Sequence, residues 1–286
     1  MRVVISVDME GASGIVSRKQ CTENSPQWHE ARHLLAGDVN AAIEGAMSAG
    51  ATEFVLHDSH GLDFVNLPMA ELHPNAQVVY GQPVLLYEQL EDGAALDGGY
   101  ACAFLVGYHA GPGKAAILSH LFTWPKIQEV RLNGRYTGEG GVAAALAGAH
   151  GIPTTLVTGD DATGDEMQEW CPDIETAVVK YSLSRYAGRC LPLGEARSRI
   201  REAAQRAVAR RREHRLPDFG APGAPVTLEV RLASEQLARL VSLMPHVERQ
   251  GADWIRYHAP DVLAAYRCLC AVLVMVKSTL APYQAD

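Results

Sequence analysis

Residues 2–11 read RVVISVDMEG, and this stretch is the strongest indication of the fold. The run RVVISV is apolar and β-branched, which is typical of a strand buried on both faces of a parallel sheet. Asp8 and Glu10 follow at once, where such a strand should end. Because residues two apart on an extended chain point the same way, the two carboxylates would share one space and repel each other. A bound cation would remove that repulsion, but a capped turn before Gly11 explains this stretch equally well.

Strand-like runs alternate with helical patterns along the first two thirds of the chain. The predicted strands lie at 2–7, 53–57, 77–80, 102–108, 153–158 and 176–183, and the predicted helices lie at 27–49 and 142–150. A hairpin is predicted at 129–138, because Asn133-Gly134 suits a two-residue type I′ turn. This alternation predicts an α/β fold with a mainly parallel sheet and helices on both faces.

The last third of the chain has a different pattern and predicts a smaller α+β region. PDFGAPGAP at 217–225 is typical of a linker, and it is followed by an alternating strand at 226–232. Helices are predicted near 234–243 and at 260–280. We therefore expect an α/β domain over 1–192 and a smaller α+β region over 193–286, bridged by a helix at 194–215.

Composition favours a cytoplasmic protein that binds neither nucleic acid nor membranes. The 286 residues carry a net charge of −8, which argues against nucleic acid as the main partner. No apolar run is long enough for a transmembrane helix, and the first residues do not resemble a signal peptide. The six cysteines are scattered without a C-x-x-C pair, so neither a disulfide framework nor a thiolate zinc site is predicted.

Acidic and imidazole side chains follow four of the predicted strands. They are Asp8 and Glu10, Asp58 and His60, His109, and Asp160 and Asp161. Ligands of open α/β sheets bind at the carboxyl ends of the strands, so we expect these side chains to meet at one edge. Carboxylate oxygens and imidazole nitrogens are ligands for zinc, manganese, iron or cobalt, and the sequence therefore predicts a metal site there.

Each of these groups also has an ordinary structural explanation. Asp58 with His60 could form an Asx turn with an exposed imidazole, and His109 could be a satisfied polar residue at a strand end. The favoured explanation for Asp160 and Asp161 is that they cap the following helix. Support of the metal site, or binding of a substrate amino group, is the alternative for those two residues and for Asp58.

Several motifs, taken in order, resemble the D-aminopeptidase family of zinc metallopeptidases. They are SVDMEG at 6–11, HDSHG at 57–61, GYHA at 107–110, SH at 119–120 and NGRYTGEGGVAAALAG at 133–148. The resemblance implies that Asp8 bridges two zinc ions and that His120 is the catalytic histidine. It implies further metal ligands at Glu10, His60, His109 and Glu139. Spacing alone pointed to neither Glu139 nor His120, which resemble a helix-start acid and a lone histidine in an apolar run.

The same resemblance implies the activity and the assembly. The expected reaction is hydrolysis of short peptides or amino-acid amides, with D-amino-acid N-termini, by a water that two metal ions activate. The expected assembly is a homo-oligomer, namely a decamer of two stacked pentameric rings. The alternatives are another two-metal hydrolase, such as an amidohydrolase or phosphoesterase, and a peptide- or metal-binding protein without turnover. Lys180 and Arg185 could bind a peptide carboxylate, although surface exposure is the favoured prediction for both.

Overall fold

The computed structural model describes residues 1–61, 63–81, 99–216 and 224–278. Within them the chain forms two sheets. The strands are β1 Arg2–Val7, β2 Glu53–Asp58, β3 Ala76–Val79, β4 Cys102–Val106, β5 Ile127–Leu132, β6 Arg135–Thr137, β7 Thr154–Asp160, β8 Glu175–Ser184, β9 Ala187–Cys190, β10 Val226–Leu232, β11 Val247–Gln250 and β12 Trp254–Ala259. The helices are α1 Arg18–Cys21, α2 Pro26–Ser48, α3 Glu139–Ala149, α4 Asp161–Trp170, α5 Leu193–Ala209, α6 Glu235–Val241 and α7 Val262–Ser278, with a 3-10 turn at Met69–Glu71.

The first sheet has seven strands in the order β3-β2-β1-β4-β7-β8-β9. Its strand pairs are parallel except for the pair formed by β8 and β9. The prediction of a mainly parallel α/β sheet is therefore confirmed. β1 lies between β2 and β4, so the carboxyl ends of these three strands lie side by side.

Apolar cores cover both faces of this sheet. On one face Val3 and Ile5 of β1 pack with Ile43 of α2 and Ile200 of α5. On the other face the core contains Val4 and side chains from α3, α4, α7 and the second sheet. Alternate residues of β1 thus enter different cores, and the strand shows no polar face because both faces are covered.

Local sequence signals account for several element ends. Ser25 caps α2, and the helix ends before Gly50, whose φ of +93° suits glycine. Asn133 and Gly134 both have positive φ, as the predicted type I′ turn between β5 and β6 requires. Gly45 of α2 lies so close to α5 that an added Cβ would be 2.2 Å from the carbonyl oxygen of Arg201.

The second sheet is antiparallel, in the order β11-β12-β10-β5-β6. It combines strands from both sides of residue 192, because β10 pairs with β5. The hairpin of β11 and β12 was not predicted, since VERQ at 247–250 has no apolar alternation. The linker expected at 217–225 falls mostly outside the described residues, and the division of the chain at residue 192 stays a prediction.

The helix predicted at 194–215 is observed as α5, Leu193–Ala209. Its role as a bridge between two domains stays a prediction. Its buried side chains are small or branched and pack against α2 in the core on that face of the sheet. In the parts of the chain that the structure describes, no helix is long and apolar enough to cross a membrane.

Candidate metal centre

Asp8, His60 and His109 meet at the carboxyl edge of the parallel sheet. Asp8 follows β1, His60 follows β2 and His109 follows β4. Asp8 Oδ1 lies 3.2 Å from His60 Nδ1, and Asp8 Oδ2 lies 3.3 Å from His109 Nε2. Their side chains are at most 9% exposed. The structure therefore brings the ends of three adjacent strands together around one carboxylate.

Glu10 lies in the same cluster because the loop after β1 folds back against the end of β4. Gly11 N donates to the carbonyl of Gly107 at 2.8 Å, and an added Cβ on Gly11 would meet the backbone of Tyr108 at 1.7 Å. Only glycine permits this approach. The fold-back places Glu10 Oε2 2.9 Å from His60 Nδ1.

Glu139 and His120 reach the cluster from outside the parallel sheet. Glu139 is the first residue of α3, and its Oε1 lies 3.7 Å from His109 Nε2. The His120 ring stacks on that of His109 at 4.2 Å, and His120 Nε2 lies 4.0 Å from Glu10 Oε1. Phe122 N also donates to Glu139 Oε1, which ties the loop that carries His120 to the start of α3.

A backbone carbonyl fixes each of the three imidazoles. His60 Nε2 donates to the carbonyl of Cys21 at 2.8 Å. His109 Nδ1 donates to the carbonyl of Ala110 at 3.0 Å, and His120 Nδ1 donates to the carbonyl of Leu118 at 2.8 Å. A carbonyl only accepts, so each of these nitrogens carries the proton. When the ring is neutral, the other nitrogen presents a lone pair to the carboxylates, and this is the arrangement of metal-ligating histidines.

The pKa values show that this cluster carries an electrostatic conflict. Burial and the nearby Glu10 raise the pKa of Asp8 to about 7. Burial opposes charge on both imidazoles, yet the adjacent carboxylates raise the pKa of His60 well above its usual value and the pKa of His109 to about 9. His60 in turn holds the pKa of Glu10 well below its usual value, against the effect of burial. Protonated imidazoles thus provide the charge balance that a divalent cation could provide instead.

The donor atoms fit a metal ion. Among the described residues, Asp8 Oδ2 and Glu10 Oε2 are buried and accept no hydrogen bond of good geometry. Candidate ligand atoms form two groups, Asp8 with Glu10 and His109, and His109 with His120 and Glu139, and within each group these atoms lie within 4.8 Å of one another. Unsatisfied buried carboxylate oxygens are unfavourable unless a cation binds them.

Asp58 lies at the same edge, but it is directed away from the cluster. Its carboxylate accepts bonds from Asn66 Nδ2 and N and from Leu67 N. Asn66 Nδ2 also donates to the carbonyl of His60 at 2.8 Å. Asp58 therefore positions the segment that carries His60 and does not contact its imidazole.

Asp160 and Asp161 also contact backbone instead of the cluster. Asp160 caps α4 through Thr163 N and also accepts from Ile117 N and Ser182 Oγ. Asp161 Oδ1 accepts from Ser182 N at 2.9 Å. Both acids thus bind Ser182 near the end of β8, and Asp160 also binds the loop that leads to His120.

Surface exposure was the favoured prediction for Lys180, and it is wrong. Lys180 is fully buried, and its Nζ donates to the carbonyls of Glu10, Ala12 and Ile15. A register irregularity beside β7, where Asp160 pairs with Lys180, interrupts the alternation of β8 and turns the lysine inward. Lys180 therefore holds the backbone of the loop that contains Glu10 in place, and its ammonium group is not available to substrate.

A cavity of about 170 Å³ opens beside the cluster. Its lining residues are Glu10, Arg18, Cys21, Thr22, Leu118, His120, Phe122, Trp124, Arg185 and Tyr186. Leu118 and Phe122 flank His120 with φ of +51° and +35°, which non-glycine residues rarely adopt. Sequence reasoning missed most of this wall, because its residues come from three distant segments without a shared motif.

Comparisons with known proteins identify the family of this chain. A family model described as D-aminopeptidase matches residues 1–271. D-aminopeptidase of Bacillus subtilis (strain 168) is 31% identical over 280 residues, which make up 97% of each chain. Among solved structures, the Zn-dependent D-aminopeptidase DppA from Bacillus subtilis, described as a self-compartmentalizing protease, matches with a TM-score of 0.89 and 27% identity, covering 98% of this chain and 99% of its own. The chain therefore belongs to the D-aminopeptidase family.

Proposed function

We propose that this protein is a zinc-dependent aminopeptidase for short peptides or amino-acid amides whose N-terminal residue is a D-amino acid. Family membership makes the chain a metal-dependent aminopeptidase, a hydrolase of peptide bonds. The observation that carries the proposal is the cluster of carboxylate oxygens and imidazole nitrogens that lie close enough together to bind a metal ion. Two of its buried oxygens, Asp8 Oδ2 and Glu10 Oε2, have no hydrogen-bond partner among the described residues. Zinc and the D-stereochemistry are the properties named for the relative of solved structure.

Two divalent ions are supported by the overlap of the two ligand groups. Both groups contain His109, and Asp8 presents its two oxygens to different histidines. In this proposal Asp8 would be the carboxylate shared between the ions. The remaining ligands in this proposal are Glu10, His60, His109 and Glu139. Although the second ligand group includes His120, we leave that residue free for proton transfer.

Bound metal ions would supply two effects here, a lowered pKa for a water and polarisation of the scissile carbonyl. The proton transfer falls to His120. Burial lowers the pKa of His120, so the ring is neutral near pH 7, and in the metal-free protein the charge of His109 acts in the same direction. Its Nδ1–H donates to the carbonyl of Leu118, so Nε2 is left as the basic nitrogen and is directed toward Glu10. His120 can therefore accept a proton from the attacking water and deliver it to the leaving amine.

The assembly proposed for this chain is a homo-oligomer, as the description of the relative as self-compartmentalizing suggests. The decamer of two stacked pentameric rings and the cytoplasmic location stay predictions. The family assignment does not favour an amidohydrolase, a phosphoesterase or a binding protein without turnover.

The test of the catalytic assignment is His120→Ala. We expect kcat to fall by roughly 10²- to 10⁴-fold, the usual contribution of a positioned acid–base group. The metal content should not change, because His120 is not a proposed ligand. The matched control is His29→Ala, which removes an exposed imidazole outside the cluster and should leave kcat unchanged. Undiminished hydrolysis by His120→Ala would remove His120 from the mechanism.

The test of metal and stereochemistry uses paired L- and D-aminoacyl substrates. The protein is stripped with a chelator and then assayed with zinc, manganese or cobalt. We expect no activity without metal, recovery with zinc at two ions per chain, and faster hydrolysis of the D-series. Full activity without metal would refute the metal-dependent mechanism. A phosphate ester is assayed beside the aminoacyl substrates, and its faster hydrolysis would support the phosphoesterase alternative.

A further inference from the structure

Arg185 lies in the wall of the cavity that also contains Glu10 and His120. It occupies the turn between β8 and β9, and its carbonyl accepts from Leu118 N at 2.8 Å. This bond attaches the turn to the loop that carries His120. Arg185 is half-buried and was expected on the surface, so the structure places it closer to the reaction centre than the sequence suggested.

The guanidinium of Arg185 is held in place by aromatic rings. Its Cζ lies 4.5 Å from the centroid of the Trp124 ring and 5.7 Å from that of Tyr186. Stacking uses the face of the guanidinium and leaves its N–H groups at the edge available. In the described part of the chain no carboxylate forms an ion pair with Arg185, and its Nε is buried without an acceptor.

Arg18 adds a second positive charge to the same wall. It begins α1, is exposed, and likewise has no ion-pair partner among the residues that the structure describes. Most other arginines with an ordered contact in this chain pair with an acid, such as Arg206 and Arg210 with Glu175. Two arginines without acids beside a metal-ligand cluster indicate a site for an anionic group of the substrate.

We propose that Arg185, assisted by Arg18, binds the free C-terminal carboxylate of the peptide. This proposal rests on the aminopeptidase function proposed above. A planar guanidinium binds a carboxylate through two parallel hydrogen bonds, and the aromatic stack fixes the plane in advance. Lys180 cannot serve instead, because its three donors are directed to backbone carbonyls.

The size of the cavity agrees with a short substrate. A cavity of about 150 Å³ holds a benzene molecule, which is similar in size to alanine. The 170 Å³ beside the cluster can therefore hold a small leaving residue with its carboxylate, and it excludes a folded polypeptide. Recognition of the carboxylate would make the enzyme select peptides in which one small residue follows the scissile bond.

The experiment compares a dipeptide with its C-terminal amide, using the metal-loaded enzyme. The measured quantity is the ratio of kcat/KM for the free acid to kcat/KM for the amide. The wild type should prefer the free acid by at least tenfold, and Arg185→Gln should lower this ratio by about 10- to 100-fold, as expected for a charged hydrogen-bonded pair. Arg185→Lys should give an intermediate ratio, because it keeps the charge and loses the planar fork.

Arg189→Gln is the matched control. Arg189 lies on the same hairpin, is exposed and stacks on Tyr181 outside the cavity, so its loss should leave the ratio unchanged. Each substrate pair is measured on one protein preparation, so a folding defect lowers both rates and cancels in the ratio.

Three results would overturn the proposal. A wild-type ratio near one would refute carboxylate recognition while leaving the aminopeptidase function intact. An equal loss on acid and amide in Arg185→Gln would make the arginine a structural residue. If the metal-loaded wild type hydrolyses neither substrate, the proposed function fails, and the carboxylate subsite fails with it.

Discussion

Two pairs of buried carboxylates lie at the same edge of the parallel sheet, and they differ in what their oxygens contact. Asp58 and Asp160 accept several hydrogen bonds each, mostly from backbone N–H groups and hydroxyl or amide side chains. Asp8 accepts one backbone bond, from Met9 N, and is otherwise surrounded by Glu10 and by imidazoles. All these side chains are almost fully buried.

Burial alone therefore does not identify a metal ligand. An ionised carboxylate has about four lone-pair positions, and a structural acid fills them with protein donors. Asp8 and Glu10 leave oxygens without such donors, which is costly in a protein interior unless a cation is bound. The satisfied pair holds the strand ends and loops, and the unsatisfied pair is available for chemistry.

The largest expected effect tests the unsatisfied pair. Asp8→Asn should lower kcat/KM by at least about 10³-fold, because the metal supplies several kcal/mol of transition-state stabilisation. Zinc content should fall as well. Because burial and Glu10 raise the pKa of Asp8, its charge destabilises the metal-free fold at neutral pH, and the metal-free variant should melt no lower than the wild type. A large loss of metal-free stability would make Asp8 a structural residue.

The next effect tests the satisfied pair. Asp160→Ala should lower the free energy of unfolding by about 2–4 kcal/mol, because it removes the cap of α4 and leaves Ile117 N without its carboxylate acceptor. Urea denaturation measures this loss. Zinc content per folded chain should stay at the wild-type value. A lower zinc content in the variant would identify Asp160 as a metal ligand.

The third prediction compares two buried imidazoles through the pH dependence of stability. His57 is buried in β2, and burial lowers the pKa of His57 to about 4. The pKa of His109, by contrast, is raised to about 9 by the carboxylates around it. His57 must stay neutral in the folded chain while it takes a proton in the unfolded chain near pH 6.5. Its contribution is therefore complete above pH 6.5 and decreases as the pH falls toward 4, by about 3 kcal/mol in total.

The variant that isolates this effect is His57→Gln, which does not titrate. As the pH falls from 7 to 4.5, the unfolding free energy of the wild type should decrease relative to that of the variant. Other titrating groups are common to both proteins and cancel. A difference that does not depend on pH would mean that His57 is not held neutral by the fold.

The smallest effect concerns Asp161, whose carboxylate bonds Ser182 N at the surface of the site. Asp161→Ala should cost about 1 kcal/mol of stability, the net value of one such hydrogen bond. Its kcat/KM should change by less than about threefold, because no contact joins Asp161 to the metal ligands. A hundredfold increase in KM would instead assign this acid to the substrate amino group.

The strand-end half of the site could be predicted from the sequence, because adjacent parallel strands necessarily bring Asp8, His60 and His109 to one edge. The other half could not. Glu139 begins a helix that follows a hairpin of the second sheet, and His120 lies in a loop without periodicity, so only the family resemblance identified them. Lys180 was placed wrongly because the irregularity in β8 reverses its direction, and a sequence pattern of period two does not reveal it.

The bonds from Lys180 also affect the order in which the site can form during synthesis. The proposed ligands lie between residues 8 and 139, but the carbonyl of Glu10 is held by a lysine 170 positions further along the chain. A nascent chain therefore carries all the proposed metal ligands before it carries the ammonium group that holds the loop of Glu10. Metal loading should follow the emergence of β8 from the ribosome, and a fragment that ends before that strand should not acquire metal stably.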